Sequence, residues 1–467
     1  MREIKKAFVA ESVFGFYEHP LMSSSPRLVS GPVGPALLRM AGPMTVGILA
    51  NMFFNLVDTF FIGKLGQQEL AAMAFTFPLV FFVTGSSMGL SIGVSSVVSR
   101  AIGSGKHEKV QLITSHSLLL GAVIVGILLA IGIPMLTPVL RAMGASDSLI
   151  PLIRSYILPW SMGIVFIVTP MLGNSVIRST GDTLVPSMIM LLAGGLNVVL
   201  DPLLIFGWGP VPAMELKGAA LATVFSYIVV FGIMTCLLRF KYKLLVCKLG
   251  SIKEVLASWK EVLEIGLPAV FTNQMIPVAN GVLTAIIAGY GEAAVAAWGV
   301  STRLESLMMS PFFALATVMA PFVGQNTGAD KPERVHQALR FCGKVCVLGS
   351  LFIWLSAASG SSWIAALFSN QPETLRLIQL HLWIVPLSYG AFAWKLQFTS
   401  TFNAQKHPFY SSITFLGRFF LFIIPLAWLG QHHFGLKGLY AGIALGNFFA
   451  LGLATSLWRY LQTKTDS

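Results

Sequence analysis

Twelve long apolar runs decide what this chain can become. They lie at about 37–63, 70–99, 112–137, 150–176, 184–208, 217–238, 262–288, 293–323, 337–359, 375–401, 410–430 and 436–459. About 20 apolar residues cross the hydrocarbon core of a bilayer as a helix. Inside that core each backbone polar group must be satisfied within its own segment or within a closed barrel. Barrel strands alternate with a period of two, and these runs are continuous. The predicted fold class is an all-α integral membrane protein with twelve transmembrane helices. Only 11% of the 467 residues are charged, against about 25% in soluble domains, so little mass is left outside the membrane.

The net charge of +12 does not point to nucleic acid. The basic residues gather in the short loops of one side: Lys5, Lys6 and Arg27, then Arg100, Lys106 and Lys109, the connector from Arg239 to Lys260, then Lys331, Arg334, Arg340, Lys344, Lys406, Arg459 and Lys464. This is the positive-inside pattern. It predicts a multi-pass protein of the bacterial inner (plasma) membrane with both termini cytoplasmic, membrane lipids as its surroundings and no nucleic acid partner. Residues 1–36 lack the apolar core and cleavage site of a signal peptide. They read as a cytoplasmic segment, with a mildly amphipathic stretch at Ala7–Tyr17 and an alternative start at Met22. Cys342 and Cys346, one helical turn apart, read as packing residues rather than a metal site.

The two halves align at an offset of 225 residues. Pro43 pairs with Pro268, Gly66 with Gly291, Gly103 with Gly328 and Lys106 with Lys331. With six spans per half, both halves enter the membrane from the same side, a parallel repeat about an axis along the membrane normal. The expected organisation is a cytoplasmic segment at 1–36, a first lobe at 37–238, a connector at 239–261, a second lobe at 262–460 and a cytoplasmic tail at 461–467. A duplicated bundle of this kind suits a transporter. A membrane enzyme is not expected, because no catalytic set stands out.

Against that apolar background the intramembrane acids carry most information. Ionisable residues at such depth are costly and mark ion or proton pathways. Asp58 lies in the outer third of span 1 and Asp201 in the outer half of span 5. Asn197 is one turn before Asp201 on the same face, and Thr223 of span 6 falls at the same depth. Asp58, Asn197, Asp201 and Thr223 are the expected cation-coupling set, as hard oxygen ligands for Na⁺ if sodium is the coupling ion. Proton chemistry is equally open, since two close carboxylates in a low dielectric cannot both stay charged. A purely structural reading, with the acids as hydrogen-bonding glue between helices, is the weaker one. Asn51, Asn55 and Asp58 make a polar stripe, so that face of span 1 should point inward. Pro43 removes a helical hydrogen bond and is the expected bend of helix 1, unless it belongs to the tolerant first turns.

The second lobe carries Leu283 where the first has Asp58, so the ion site is expected in the first lobe alone. Its own intramembrane charges are Arg303, Glu305 and Lys395. Pairing of Lys395 with Glu305 is doubtful, since they differ in depth by about 12 Å on a helical count. Gln274, Asn280 and Gln397 complete the candidates for a substrate cavity, with packing roles equally open.

These segments resemble the multidrug and toxic compound extrusion (MATE) family, and within it the DinF-like branch. The resemblance spans residues 37–460. It rests on Asn55-Leu56-Val57-Asp58-Thr59, Arg178-Ser179-Thr180-Gly181-Asp182, Asn197 to Pro202, Gly218 to Thr223, Arg303-Leu304-Glu305-Ser306 and Val323 to Ala329. It implies two six-helix lobes in a V, and export by alternating access driven by Na⁺ or H⁺ re-entry. Asp58, Asn197, Asp201 and Thr223 would then be the cation site. The substrates implied are small amphiphilic organic compounds, often cationic, with no cofactor beyond the coupling ion and a monomeric protein. The chain departs from the NorM-like pattern, with Asn273 and Gln274 where a glutamate is expected in span 7. A flippase for lipid-linked precursors is the alternative within the wider superfamily.

Overall fold

The computed structural model describes residues 28–247 and 249–465. The Ala7–Tyr17 stretch and Met22 lie outside the described residues. Among these residues the structure is helical, apart from one isolated bridge between Trp208 and Val211. The first lobe comprises α1 (Val33–Gly63), α2 (Gln67–Gly103), α3 (His107–Ala142), α4 (Ile150–Ser179), α5 (Leu184–Ile205) and α6 (Glu215–Lys241). The second comprises α7 (Ile252–Ala288), α8 (Glu292–Gly328), α9 (Pro332–Ser359) and α10 (Pro372–Ala404), followed by α11 and α12 within Pro408–Lys464.

A single helix over that last range would be about 85 Å long at 1.5 Å per residue, nearly three hydrocarbon cores. Gly435 prevents it. Its backbone sits at φ +58°, ψ −143°, a region open to glycine, and the chain reverses there. The result is α11 over 408–434 and α12 over 436–465. The backbone of Gly430 abuts that of Gly438, and Gly442 abuts Leu426, as a hairpin of close helices requires. Among the described residues the helices long and apolar enough to cross a membrane therefore number twelve.

The lobes have separate apolar cores that exchange the starts of their first helices: Val262 and Ile265 of α7 join the core of the first lobe, and α1 makes the reverse exchange, which matters for function. The first half of α1 (Val33, Leu37, Met40, Ala41, Met44) is packed into the core of the second lobe, beside Phe322 and Leu339. Further along, Phe54 of α1 fills the notch left by Gly194 of α5, where a Cβ would collide with its ring. Pro43 falls at this change of partner. It is the eleventh residue of α1, past the first turn, so it removes a helical hydrogen bond. The helix is continuous but weakest where it passes from one lobe to the other.

The lobes meet at the basic end. There Ser96 donates to the Asn403 carbonyl at 2.6 Å and Arg100 to the Ala404 carbonyl at 2.6 Å. Gln325 donates to the Ser179 carbonyl at 2.7 Å. Lys331 and Arg334 donate to the Val29 and Gly31 carbonyls just ahead of α1. Glycines let α2 and α8 touch backbone to backbone: a Cβ on Gly103 would strike Gln325, and one on Gly328 would strike Arg100. Among the described residues the inter-lobe hydrogen bonds reach no further from this end than Gln274, about midway along α7. That side chain donates to the Phe82 carbonyl at 2.8 Å and to Ser86 Oγ at 3.2 Å. Beyond it Asn55, Phe60, Val278, Asn280 and Leu307 are exposed. The space between the lobes is closed at the basic end and open at the other.

Candidate functional site

The site is built where α1, α5 and α6 come together near the open end. Gly218 at the start of α6 lies against the Leu204 carbonyl, leaving no room for a Cβ. That contact fixes α5 beside α6. Asn197 and Asp201, one turn apart on α5, then face Thr223. Asn197 Nδ2 donates to Asp201 Oδ1 at 3.1 Å and to Thr223 Oγ1 at 3.4 Å. Pro202 follows Asp201 and has no N–H, so the Val198 carbonyl loses its helical donor in the same turn.

The Phe54–Gly194 contact presents the next turn of α1, with Asp58, to Asp201. The two carboxylates come within direct interaction range of each other. Asp201 is fully buried and Asp58 partly so. Among the described residues Asp58 Oδ1 and Asp201 Oδ2 have no hydrogen-bond partner, and neither acid is in an ion pair with a Lys or Arg. Two like charges at such range cannot both ionise unless something sits between them. A proton or a small hard cation satisfies the pair, and the surrounding donors are all oxygens or an amide. All four residues expected at the ion site are thus brought together.

Tyr156 of α4, which sequence reading did not single out, lies in the neighbourhood of the pair. It is buried and close enough to feel the charge of both acids. In the sequence it is one aromatic among many in an apolar run, and nothing local marks it.

The other candidates part company. Asn51 and Asn55 are exposed on α1, and Asn55 Nδ2 is satisfied by the Asn51 carbonyl at 2.7 Å. A polar exposed face at this depth belongs on water rather than lipid. Gln274 ties the lobes together at the cleft floor, and Asn280 is exposed above it. Gln397 is buried and donates to the Ala393 and Phe312 carbonyls, a packing role. Arg303 is exposed. Glu305 and Lys395 form no ion pair: Glu305 lies beside the Tyr389 hydroxyl and within the field of Arg418, while Lys395 is enclosed among aromatic rings. Cys342 and Cys346 are buried in the second core, and the described residues hold no cluster of three or more His, Cys, Asp or Glu.

The notch at Gly194 yields a direct prediction. Gly194→Val should push Phe54 and α1 away from α5, part Asp58 from Asp201, and cut export at least tenfold in an efflux assay. Adding Phe54→Ala should restore much of it by returning the space. A double variant no better than the single one would show that the contact does not position the acid.

The family model MatE matches residues 43–203 and, a second time, 268–429. The chain belongs to the MatE family. The two matches begin at Pro43 and Pro268, 225 residues apart, so they reproduce the internal repeat. Among curated relatives, the FAD transporter of Shewanella oneidensis is 37% identical over 427 residues, covering 91% of this chain and 94% of that protein. The multidrug export protein MepA of Staphylococcus aureus is 25% identical over 303 residues, 64% of this chain and 66% of that protein. Among solved structures, a mutant of the Vibrio cholerae MATE transporter VcmN superposes with a TM-score of 0.88 at 28% identity, over 92% of this chain and 97% of that one. The same protein in its bent form gives 0.87 at 29% identity. This MatE chain is accordingly a multi-pass membrane transporter related to multidrug exporters.

Proposed function

We propose that this MatE chain is an antiporter that exports small organic molecules and takes back H⁺ or Na⁺ through Asp58 and Asp201. The observation that carries the reading is the pair of uncompensated carboxylates between α1 and α5. The basic end, by the positive-inside rule, faces the cytoplasm of a bacterial inner membrane, with the cleft open to the outside. A cation from outside meets the acids first. Bound there, it draws α1 against α5, and because the start of α1 is anchored in the second lobe, the pull is felt across the cleft. The arrangement around the acids supports placement in the DinF-like branch.

For substrate, the relatives support two chemistries. MepA is named for multidrug export, which fits the amphiphilic cations implied by the family. The more similar relative is named an FAD transporter, and this favours an anionic aromatic dinucleotide as the first compound to try. Proteoliposomes with independently imposed Na⁺ and H⁺ gradients test both, using FAD and ethidium as probes. Inward movement of one ion should drive outward movement of at least one probe. Transport of both probes unaffected by either gradient would refute cation coupling.

A further inference from the structure

The second lobe holds a buried charge cluster that the acid site does not use. Lys395 of α10 is completely enclosed, and among the described residues its Nζ has no hydrogen-bond partner. It lies 4.6 Å from the centre of the Phe415 ring and 6.0 Å from that of Phe392. Arg418 of α11 stacks on the same Phe392 ring at 3.6 Å and on Phe419 at 4.7 Å. Its Nε donates to Asn447 Oδ1 at 2.7 Å, and Asn447 in turn donates to Ser388 Oγ at 2.8 Å. Glu305 of α8 acts on Arg418, yet the charged neighbour that acts on Lys395 is that second cation. Two buried cations therefore stand against one carboxylate.

Two further features set this place apart. Both helices that carry the cations leave α-geometry beside it. Val385–Ser388 ahead of Lys395 is a 3₁₀ segment, and Gly417–Ile423, with Arg418, is a π segment. Such interruptions recur at functional sites. At the equivalent positions of the first lobe α4 and α5 run uninterrupted, and its π segment lies elsewhere, at Leu237–Lys241 at the end of α6. At the 225-residue offset the places of Glu305, Lys395 and Arg418 are taken by Val80, Pro170 and Ala193. The two clusters have opposite polarity, a pair of acids with no ion-pair partner in the first lobe and an excess of cations in the second.

We propose that Lys395 and Arg418, with the rings of Phe392, Phe415 and Phe419, form a binding site in the second lobe for an organic anion that combines a flat aromatic ring with a phosphate. An unpaired buried ammonium is costly, and an oxyanion supplies the acceptor that the protein withholds. Guanidinium groups match phosphate geometry, and the rings offer faces to a planar group. With the cleft open to the outside the amine is sealed, as in a state that has released its cargo. The cluster would open to the substrate when the cleft faces the other way.

The inference rests on the antiport reading above, and the test separates the two. FAD binding to the purified full-length protein is measured by flavin fluorescence, alongside gradient-driven export of FAD and of ethidium from proteoliposomes. Lys395→Gln should weaken FAD binding at least tenfold and leave ethidium export within twofold of wild type, while Lys395→Arg retains FAD binding. Melting in detergent checks that each variant is folded. Unchanged FAD binding in Lys395→Gln overturns the site, even if wild type exports FAD. An equal loss of both probes in a folded variant also overturns it, because the lysine is then structural. Wild type that exports ethidium but neither binds nor exports FAD overturns the anionic substrate and leaves the antiport reading standing.

Discussion

Asp58→Asn is expected to abolish gradient-driven export, lowering the initial rate at least 100-fold in proteoliposomes, and Asp201→Asn should do the same. The amide keeps the size of the carboxylate and removes its capacity to exchange a proton or hold a cation. The scale follows from the electrostatics. Two unit charges 4 Å apart at an effective dielectric of about 20 repel by about 4 kcal/mol. Binding one cation between the acids removes that repulsion, and losing either acid removes the gain. Shifting a two-state equilibrium from 1:99 to 99:1 needs about 5.5 kcal/mol, so the pair supplies most of what a conformational switch requires. The variants should be at least as stable as wild type, since each relieves a repulsion. A variant that is folded, melts no lower than wild type and still exports at more than a tenth of the wild-type rate would break the link between these acids and coupling.

The second large effect concerns the closed end. Gly103→Leu or Gly328→Leu should reduce export at least tenfold with the acid site untouched. The obstacle to the new side chain is backbone, the Gln325 main chain for Gly103 and the Arg100 carbonyl for Gly328. Backbone in the last turns of two packed helices cannot step aside as a flexible side chain can. The seal would have to part, and with it the hydrogen bonds of Ser96 and Arg100 to the ends of α10. The variants should favour the arrangement open at the basic end. Spin labels at Phe60 and Tyr290, both exposed near the open end, would report a shorter distance than in wild type. An unchanged distance distribution together with normal export would mean that the contact of α2 with α8 is not the gate.

The legible and the illegible parts of this chain divide for physical reasons. Asp58 and Asp201 stood out because a carboxylate in an apolar run is costly enough to need a purpose. Asn197 followed from the helical period, and Thr223 from depth counting along an adjacent span. The twelve helices were readable as runs, although the turn between α11 and α12 depends on the backbone freedom of one residue, Gly435. Tyr156 was invisible because an aromatic in a membrane helix is ordinary until a neighbouring helix supplies its partner. Arg418 was missed because a single basic residue in the run of span 11 does not declare its partners. Only packing shows it buried on Phe392. Counting residues correctly made Lys395 and Glu305 poor partners, but it could not show that Glu305 turns to Tyr389 and Arg418, since α10 and α11 depart from the regular helix that such counting assumes. The anchoring of the start of α1 in the second lobe was equally hidden, because apolar side chains do not declare which core they will join.

If the cation on Asp58 and Asp201 is exchanged for substrate, substrate binding should drive that ion off the protein. Purified protein in weakly buffered detergent is mixed with FAD or ethidium, and released H⁺ is followed with a pH indicator, or released Na⁺ with a radioactive tracer. Wild type should discharge one of the two ions as substrate binds, and Asp58→Asn and Asp201→Asn should bind substrate without discharging either. Equal release from wild type and both variants, or substrate binding by wild type with no release of either ion, would mean that these acids do not exchange a cation for substrate.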